Sequence, residues 1–228
     1  MERLDKFLCD SGAGTRSQVK LILKAGRVTV DGKAEKDGSR KIDPAKNEVM
    51  LDGSALRGQY RAVFLMNKPE GYVTATEDPV EKTVMELLPP EIRHLDLKPV
   101  GRLDKATEGL LLFTNDGAFA NRLMHPKHEV EKAYLVQVSG YTPERFHQLA
   151  RPITLDGYRI EPPVLRLLAV KGDKCNFEII IHEGRNRQIR RMCEAAGMQV
   201  LRLRRIREGA VALGNLPLGK WRHLTREE

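Results

Sequence analysis

The feature that most limits the possible folds is a series of short apolar runs that alternate with helix-like runs after residue 62. In the apolar run KAYLVQVSG, Tyr134, Val136 and Val138 occupy alternate positions. A period of two predicts a strand with one buried face, as in antiparallel sheets. The strand-like runs are AVFLMNK, GLLLFTN, KAYLVQVSG and NFEIIIHEG, and the helix-like runs are VMELLPP, PERFHQLA and NRQIRRMCEAAG. We therefore predict an α+β domain with a mixed, largely antiparallel sheet flanked by helices.

The N-terminal part of the chain has the pattern of a smaller, separate unit. The run RLDKFLCDSG has apolar residues at helical spacing, and a second helix follows, with Ser17 as its N-cap and Gly26 at its end. The pair Asp31 and Gly32 then predicts a tight hairpin turn between two strands. Two short helices and a hairpin make a compact module.

A polar connector, SALRGQYRA, separates this module from the rest of the chain. We place the first domain at 1–57, a linker at 58–62 and the second domain at 63–228. The module resembles the αL RNA-binding domain of a small-subunit ribosomal protein and of several RNA-modifying enzymes. This resemblance implies RNA contacts from Arg16, Lys20, Lys24 and Arg27.

The charge of the chain indicates its partner. Lys and Arg number 39 against 31 Asp and Glu, which gives a formal net charge of +8. Between Arg185 and Arg207 there are eight arginines and one acid, so this window holds most of the excess. Apolar residues interleave with the arginines, which predicts a folded segment with one basic face rather than a solvated run. Such a segment is typical of proteins that bind a phosphate backbone, so we expect a nucleic acid partner.

Other common site types find no support in the sequence. There is no phosphate loop, dinucleotide-binding motif or nucleophile elbow. The cysteines Cys9, Cys175 and Cys193 form no C-x-x-C pair, and His125 and His128 have no ligand cluster beside them. No apolar run approaches the roughly 18 residues of a membrane helix. We expect a soluble cytoplasmic protein without a membrane segment, a metal or an organic cofactor.

One acidic residue, Asp104, lies at the edge of the apolar run in GRLDKATEGLLLFTNDG. Alone it would be interpreted as an aspartate that caps a turn, and Gly101 and Gly109 would allow tight turns beside it. Together with NKPEGYVTA, EKAY and HEGRNRQIRRM, however, this motif resembles the RsuA-type branch of the pseudouridine synthases, over practically the full chain. That branch also places an αL module ahead of its catalytic domain. The resemblance implies site-specific isomerisation of uridine to pseudouridine in ribosomal RNA, without a cofactor.

The resemblance also implies roles for individual residues. Asp104 is the essential catalytic residue, Tyr134 stacks on the flipped uracil and assists at C5, and Arg190 orients the Asp104 carboxylate. The carboxylate could attack the ribose C1′, attack uracil C6 or remove a ribose proton. We hypothesise that Arg102 fills the gap left by the extruded base. Further residues expected to contact phosphates or shape the cleft are Lys68, Arg185, Arg187 and Arg191.

The choice of substrate depends on a single position. Arg187 stands where some members of the branch have His, which favours the large ribosomal subunit over the small one. The alternatives are a small-subunit enzyme and a non-catalytic RNA-binding or ribosome-assembly factor. The presence of Asp104, Tyr134 and Arg190 together favours an enzyme. Both naked RNA and an assembly intermediate remain possible substrates, and we expect a monomer.

Overall fold

The chain forms two compact units. The computed structural model describes residues 1–14, 16–56, 62–93, 95–225 and 228. The first unit comprises Met1–Ala62 and Glu91–Asp96, and the second comprises Val63–Pro90 and Leu97–Glu228. Residues 57–61, which include most of the linker predicted at 58–62, lie outside the described residues. The sequence did not predict that Glu91–Asp96 would group with the first unit.

Two short helices and two small antiparallel sheets build the N-terminal unit. The elements are β1 (Glu2–Arg3), α1 (Leu4–Asp10), α2 (Arg16–Lys24), β2 (Val28–Val30), β3 (Lys33–Ala34), β4 (Lys41–Ile42), β5 (Val49–Leu51) and β6 (Ser54–Leu56). One sheet has the order β3-β2-β5-β6, and in the other β1 pairs with β4. Side chains from both helices and from β2, β4 and β5 form the apolar core of this unit.

The local predictions for this unit are confirmed except at one helix start. Asp31 and Gly32 both have positive φ, 52° and 76°, which is the backbone of a tight hairpin turn between β2 and β3. Gly26 follows α2 with a φ of 69°, as expected of a residue that ends a helix. The prediction of Ser17 as the N-cap is wrong, because α2 begins at Arg16 and Ser17 lies inside its first turn.

The second unit is built on one large sheet. The remaining elements along the chain are β7 (Val63–Lys68), a 3-10 helix (Val84–Leu87), α3 (Pro90–Arg93), β8 (Lys98–Val100), β9 (Glu108–Thr114), α4 (Gly117–Met124), a 3-10 helix (Pro126–His128), β10 (Lys132–Ser139), α5 (Pro143–Leu149), β11 (Ile153–Leu155), β12 (Tyr158–Ile160), β13 (Val164–Lys171), β14 (Lys174–Ile181), α6 (Gln188–Ala195), β15 (Gln199–Glu208), β16 (Val211–Ala212) and β17 (Trp221–His223). The nine strands of the large sheet follow the order β13-β14-β10-β15-β9-β7-β17, with β16 paired to β15 and β8 paired to β9.

The sheet is mixed and largely antiparallel, as predicted. Among the described strands only β9 and β15 pair in parallel. All seven residues of β9 are buried, which explains why its sequence is a continuous apolar run rather than an alternating one. In β10, by contrast, Tyr134, Val136 and Val138 are buried and the residues between them are half-buried. The fully buried strand β9 therefore follows shortly after Asp104 in the same motif.

Gly109 is required for a reason other than the predicted turn. It lies in β9 with a φ of +106°, and a Cβ built on it would lie 2.2 Å from the backbone oxygen of Arg205 in β15. The absence of a side chain therefore allows two backbones to approach closely. Gly101 does lie outside the strands, with a φ of +72° and open space where a side chain would be.

The arginine-rich window forms α6 and β15, and its arginines do not share one basic face. Arg205 is only 2% exposed. Two others on the same strand are held by acids, since Arg202 pairs with Glu108 and Arg207 pairs with Glu131, each at 2.8 Å. The prediction of a single basic face is therefore wrong, because a strand directs successive side chains to opposite faces of the sheet.

Candidate active site

Asp104 lies in the loop that joins β8 to β9. Its side chain is half-buried, and no donor among the described residues bonds to its carboxylate. The loop backbone is held in place on both sides of Asp104. The N–H of Thr107 donates to the Asp104 carbonyl at 2.9 Å, and Thr74 bonds to both the carbonyl and the N–H of Leu103, at 2.7 and 3.2 Å. The carboxylate is thus free to interact with a substrate while its backbone is fixed.

Lys68, the last residue of β7, supports this loop from inside the protein. The sequence suggested an RNA contact for Lys68, and this prediction is wrong because its side chain is fully buried. Its ammonium group donates to four backbone carbonyls around the loop that carries Asp104. These are the carbonyls of Pro69 at 3.0 Å, Asp104 at 3.2 Å, Lys105 at 3.4 Å and Thr107 at 2.9 Å.

The environment of Lys68 also changes its protonation. Burial lowers the pKa of Lys68 from 10.5 to about 8, although the negative charges of Asp104 and Glu108 oppose this effect. Lys68 is therefore mostly protonated at neutral pH, and it places a positive charge beneath the loop that carries Asp104.

Tyr134 extends from the central strand β10 and is 7% exposed. Burial raises the pKa of its hydroxyl, so the phenol stays protonated at neutral pH. The charge of Asp104 contributes to this rise, and the guanidinium of Arg205 opposes it. Tyr134 and Asp104 therefore interact electrostatically, although Tyr134 lies in a central strand and Asp104 lies in a loop.

Arg190, in the first turn of α6, reaches the same loop. Its Nη2 donates to the carbonyl of Ala106 at 2.6 Å. Burial and the nearby Arg187 lower the pKa of Arg190, and the charge of Asp104 raises it. No ion pair between Arg190 and Asp104 occurs among the described residues, so the predicted direct contact is not formed in this structure. Arg190 instead fixes the backbone two residues beyond Asp104.

A cavity of about 940 Å³ opens beside the loop. Arg102 and Tyr134 line it, whereas Asp104 is not among its lining residues. Arg102 is exposed and therefore available to a ligand. Two residues that the sequence analysis did not select, Arg205 and Glu208, also line the cavity. Nothing in the sequence distinguishes them from the other charged residues of the strand.

The remaining arginines of the HEGRNRQIRRM motif have different environments. Arg187 is exposed and adopts a left-handed backbone immediately before α6. The guanidinium carbon of Arg185 lies 3.2 Å from the ring centroid of Tyr158, in a cation–π contact. Arg191 forms two hydrogen bonds with Asp156, at 2.6 and 2.8 Å. Arg185 and Arg191 thus contact β12 and the turn that precedes it, and of these residues Arg185 and Tyr158 line the cavity.

Four basic residues of the N-terminal unit were predicted to contact RNA, and the structure places them on its surface. Arg16 and Lys20 line a groove of about 580 Å³ within this unit. Lys24 is exposed at the end of α2. Arg27 is also exposed, and it pairs with Asp52. RNA binding by these residues stays a prediction.

The described residues contain neither a cluster that could hold a metal ion nor a helix that could cross a membrane. Within the part of the chain that the structure describes, no cluster of three or more His, Cys, Asp and Glu side chains could hold a metal ion. His125 is exposed, and its Nδ1 accepts a hydrogen bond from the N–H of Lys127. None of the helices formed by the described residues is long and apolar enough to cross a membrane.

Comparison with known proteins identifies the class. The family described as RNA pseudouridylate synthase matches residues 62–195, and the S4 domain matches residues 2–47. The chain belongs to the RNA pseudouridylate synthase family, with an S4 domain ahead of the synthase domain, and it is an RNA pseudouridine synthase.

Individual relatives cover nearly the whole chain. The chain is 39% identical to a Bacillus subtilis protein named uncharacterized RNA pseudouridine synthase YtzG, over 99% of this chain and 96% of that protein. It is 37% identical to ribosomal large subunit pseudouridine synthase B of the same organism, over 100% of this chain and 94% of the relative. A solved crystal structure of a pseudouridylate synthase aligns with a TM-score of 0.66 and 32% identity, covering 100% of this chain and 97% of that one.

Proposed function

We propose that this protein converts one uridine of large-subunit ribosomal RNA to pseudouridine, with Asp104 as its catalytic residue. The observation that carries the catalytic assignment is a half-buried carboxylate to which no described side chain bonds, set on a tightly anchored loop. The charge of this carboxylate acts on Tyr134 and Arg190, the two residues that the resemblance also assigns to the site.

The reaction rearranges bonds without any net change of atoms. The bond between N1 of uracil and C1′ of ribose breaks, the base turns, and C5 bonds to C1′. C5 loses its proton and N1 gains one. A carboxylate can serve as nucleophile or as base in this sequence of steps, and the side chain of Asp104 has the chemistry for either role.

Tyr134 and Arg190 support this chemistry in different ways. The buried phenol of Tyr134 lines the cavity beside the loop and presents an aromatic surface on which a flipped base can stack. Arg190 contributes positive charge near Asp104 and holds the loop through Ala106. Arg102, exposed in the same cavity, is placed to replace an extruded base.

The substrate assignment has separate support. Several relatives at 37–40% identity carry the name ribosomal large subunit pseudouridine synthase B. The GRNRQ form of the motif, with Arg187, agrees with that choice. We propose ribosomal RNA, naked or in an assembly intermediate, as the partner, and a cytoplasmic monomer as the active form.

Tritium release from 5-tritiated uridine tests the activity and the catalytic residue together. Large-subunit and small-subunit ribosomal RNA are each incubated with wild type, Asp104→Asn and Asp78→Asn. Asp78 is an exposed aspartate of the same unit that accepts backbone hydrogen bonds from Val80 and Glu81, so it is a matched control. We expect release from large-subunit RNA by wild type and Asp78→Asn, and none by Asp104→Asn.

Each alternative has its own result. Undiminished release by Asp104→Asn would contradict the catalytic assignment. Release from small-subunit RNA alone would correct the substrate, and no release from either RNA would favour a non-catalytic assembly factor. Mapping pseudouridines in ribosomal RNA from a strain that lacks the protein then identifies the modified position.

A further inference from the structure

A bulge in β15 brings four polar side chains together on one face of the sheet. In the pairing of β10 with β15, Ala133 lies opposite Arg207 and Tyr134 lies opposite Arg205, so β15 has one extra residue at this point. Residues three apart on a regular strand face opposite sides, whereas a bulge between them restores a common side. Arg205 and Glu208 therefore both face the side of β10 that carries Lys132 and Tyr134, and the two side chains are each 2% exposed.

Arg205 is fixed by groups around it. Its Nε donates to the carbonyl of Leu110 in β9 at 2.8 Å, and its Nη2 lies 3.3 Å from Oε2 of Glu208. Arg205 lies directly opposite Tyr134 in the pairing of β15 with β10, and its charge acts on the Tyr134 hydroxyl. A guanidinium has only donors, so in a hydrogen bond between the two groups the phenol oxygen is the acceptor. The proton of Tyr134 then points away from Arg205.

The pair is poorly explained as a stabilising ion pair. Nη2 of Arg205 and Oε2 of Glu208 are buried, yet neither makes a well-directed hydrogen bond with any described residue. Burying an ion pair with incomplete hydrogen bonding commonly contributes nothing to stability, or less than apolar side chains of the same size. Both residues line the same cavity as Tyr134. A role at the site explains their position better than a role in folding.

We infer that Arg205 and Glu208 are positioning residues that hold the Tyr134 hydroxyl, with Glu208 fixing Arg205 and Arg205 fixing the phenol. The pair acts through Tyr134 and makes no substrate contact of its own, because the two facing atoms are buried. This inference rests on the proposed function, in which Tyr134 acts on the uracil. It adds that the phenol oxygen is occupied by Arg205 and that the phenol proton is available to the bound nucleotide.

A double-mutant cycle tests the dependence on Tyr134. Single-turnover tritium release and RNA binding are measured for wild type, Tyr134→Phe, Glu208→Gln and the double variant. Glu208→Gln keeps the shape of the side chain and removes its charge. We expect it to slow release about tenfold or more, the size of effect from losing a hydrogen bond to a charged group, with an unchanged dissociation constant for RNA. In the Tyr134→Phe background it should cause no further loss, because the hydroxyl is already absent.

The neighbouring ion pair provides the control. Glu131 pairs with Arg207 at 2.8 Å, immediately before the strand that carries Tyr134, and neither residue lines the cavity. Glu131→Gln should leave the release rate unchanged. Thermal unfolding of each variant shows whether a rate change follows from loss of structure, and Arg205→Lys repeats the test with the charge retained.

A spectroscopic measurement keeps the inference testable if Tyr134→Phe has no measurable rate. With 3-fluorotyrosine at position 134, the fluorine resonance reports the surroundings of the phenol. Glu208→Gln should shift this resonance and Glu131→Gln should not.

Some results would overturn the inference alone. It fails if Glu208→Gln slows release equally in the wild-type and Tyr134→Phe backgrounds, if it leaves the wild-type rate unchanged, or if the fluorine resonance does not move. In each case Asp104→Asn would still abolish release, so the proposed function would stand. Absence of release by wild type would instead contradict the proposed function.

Discussion

Lys68→Met tests whether the buried ammonium anchors the catalytic loop. Two of its four carbonyl partners keep another donor in the variant. The Asp104 carbonyl still accepts from the N–H of Thr107 at 2.9 Å, and the Lys105 carbonyl still accepts from the N–H of Gly71 at 2.8 Å. The loop backbone therefore remains partly held.

The stability effect is the difference between two contributions. The carbonyls of Pro69 and Thr107 lose the only donor described for them, at about 1–3 kcal/mol for each buried group left unpaired. Against this, methionine carries no charge to bury. The fall in the pKa of Lys68 from 10.5 to about 8 corresponds to about 3 kcal/mol of unfavourable burial. The two carbonyls together cost about 2–6 kcal/mol, so after subtracting about 3 kcal/mol we expect the free energy of unfolding to fall by up to about 3 kcal/mol.

Turnover should change less than stability. Thr74 still holds Leu103, and Arg190 still holds Ala106, so Asp104 stays close to its position. Tritium release below the unfolding temperature should therefore fall less than about tenfold. Urea unfolding measures the stability, and Lys82→Met, at an exposed lysine of the same unit, is the control.

Two outcomes would refute this reasoning about Lys68. A gain of more than about 1 kcal/mol in the stability of Lys68→Met would show that the four hydrogen bonds do not anchor the loop. A loss of more than about a hundredfold in turnover with unchanged stability would show that the ammonium group acts in the chemistry itself.

Three further predictions concern pH, packing and RNA structure. The pKa of Lys68 is about 8 in the folded protein and 10.5 when exposed, so the unfolded chain binds more protons between these pH values, and the contribution of Lys68 to stability should rise from pH 8 to 10.5. Urea titrations of wild type and Lys68→Met measure this contribution as the difference between their free energies of unfolding. If this difference fell as pH rises, the lowered pKa of Lys68 would be contradicted. Gly109→Ala should lower the unfolding temperature markedly, since its Cβ would lie 2.2 Å from the Arg205 carbonyl oxygen. Gly101→Ala is the control, and it should lower the unfolding temperature less because there is open space around Gly101. Equal changes in unfolding temperature would argue against the close approach of β9 and β15. Arg102→Ala should reduce tritium release from structured RNA more than from an unpaired oligonucleotide, and equal losses on both would count against its role in replacing the base.

The sequence predicted most of the secondary structure because the signals are local. Apolar runs indicated the strand that follows Asp104 and the strand that carries Tyr134, and the Asp31-Gly32 pair indicated its turn. The helix start was misassigned at Ser17, because a residue suited to capping also fits inside the first turn. Such errors move an element by a residue without changing the fold.

The candidate site was predicted from motifs rather than from geometry. The resemblance selected Asp104, Tyr134 and Arg190, and the structure brings Tyr134 and Arg190 within electrostatic reach of Asp104. It could not select Glu208, whose position depends on a bulge opposite Tyr134 and therefore on the register of two distant segments. The expected Arg190 contact was also replaced, by a bond to the carbonyl of Ala106.

By itself, the sequence determined the α+β class, the basic charge and the family of the protein. Only the tertiary structure decided what each basic residue does. Arg187 is exposed, Arg205 is buried opposite Tyr134, and Lys68 holds the Asp104 loop from the interior instead of contacting RNA. A side chain of one chemical type can bind a phosphate, a carboxylate or a carbonyl. Which of these it meets is set by strand pairing and burial between segments far apart in the sequence.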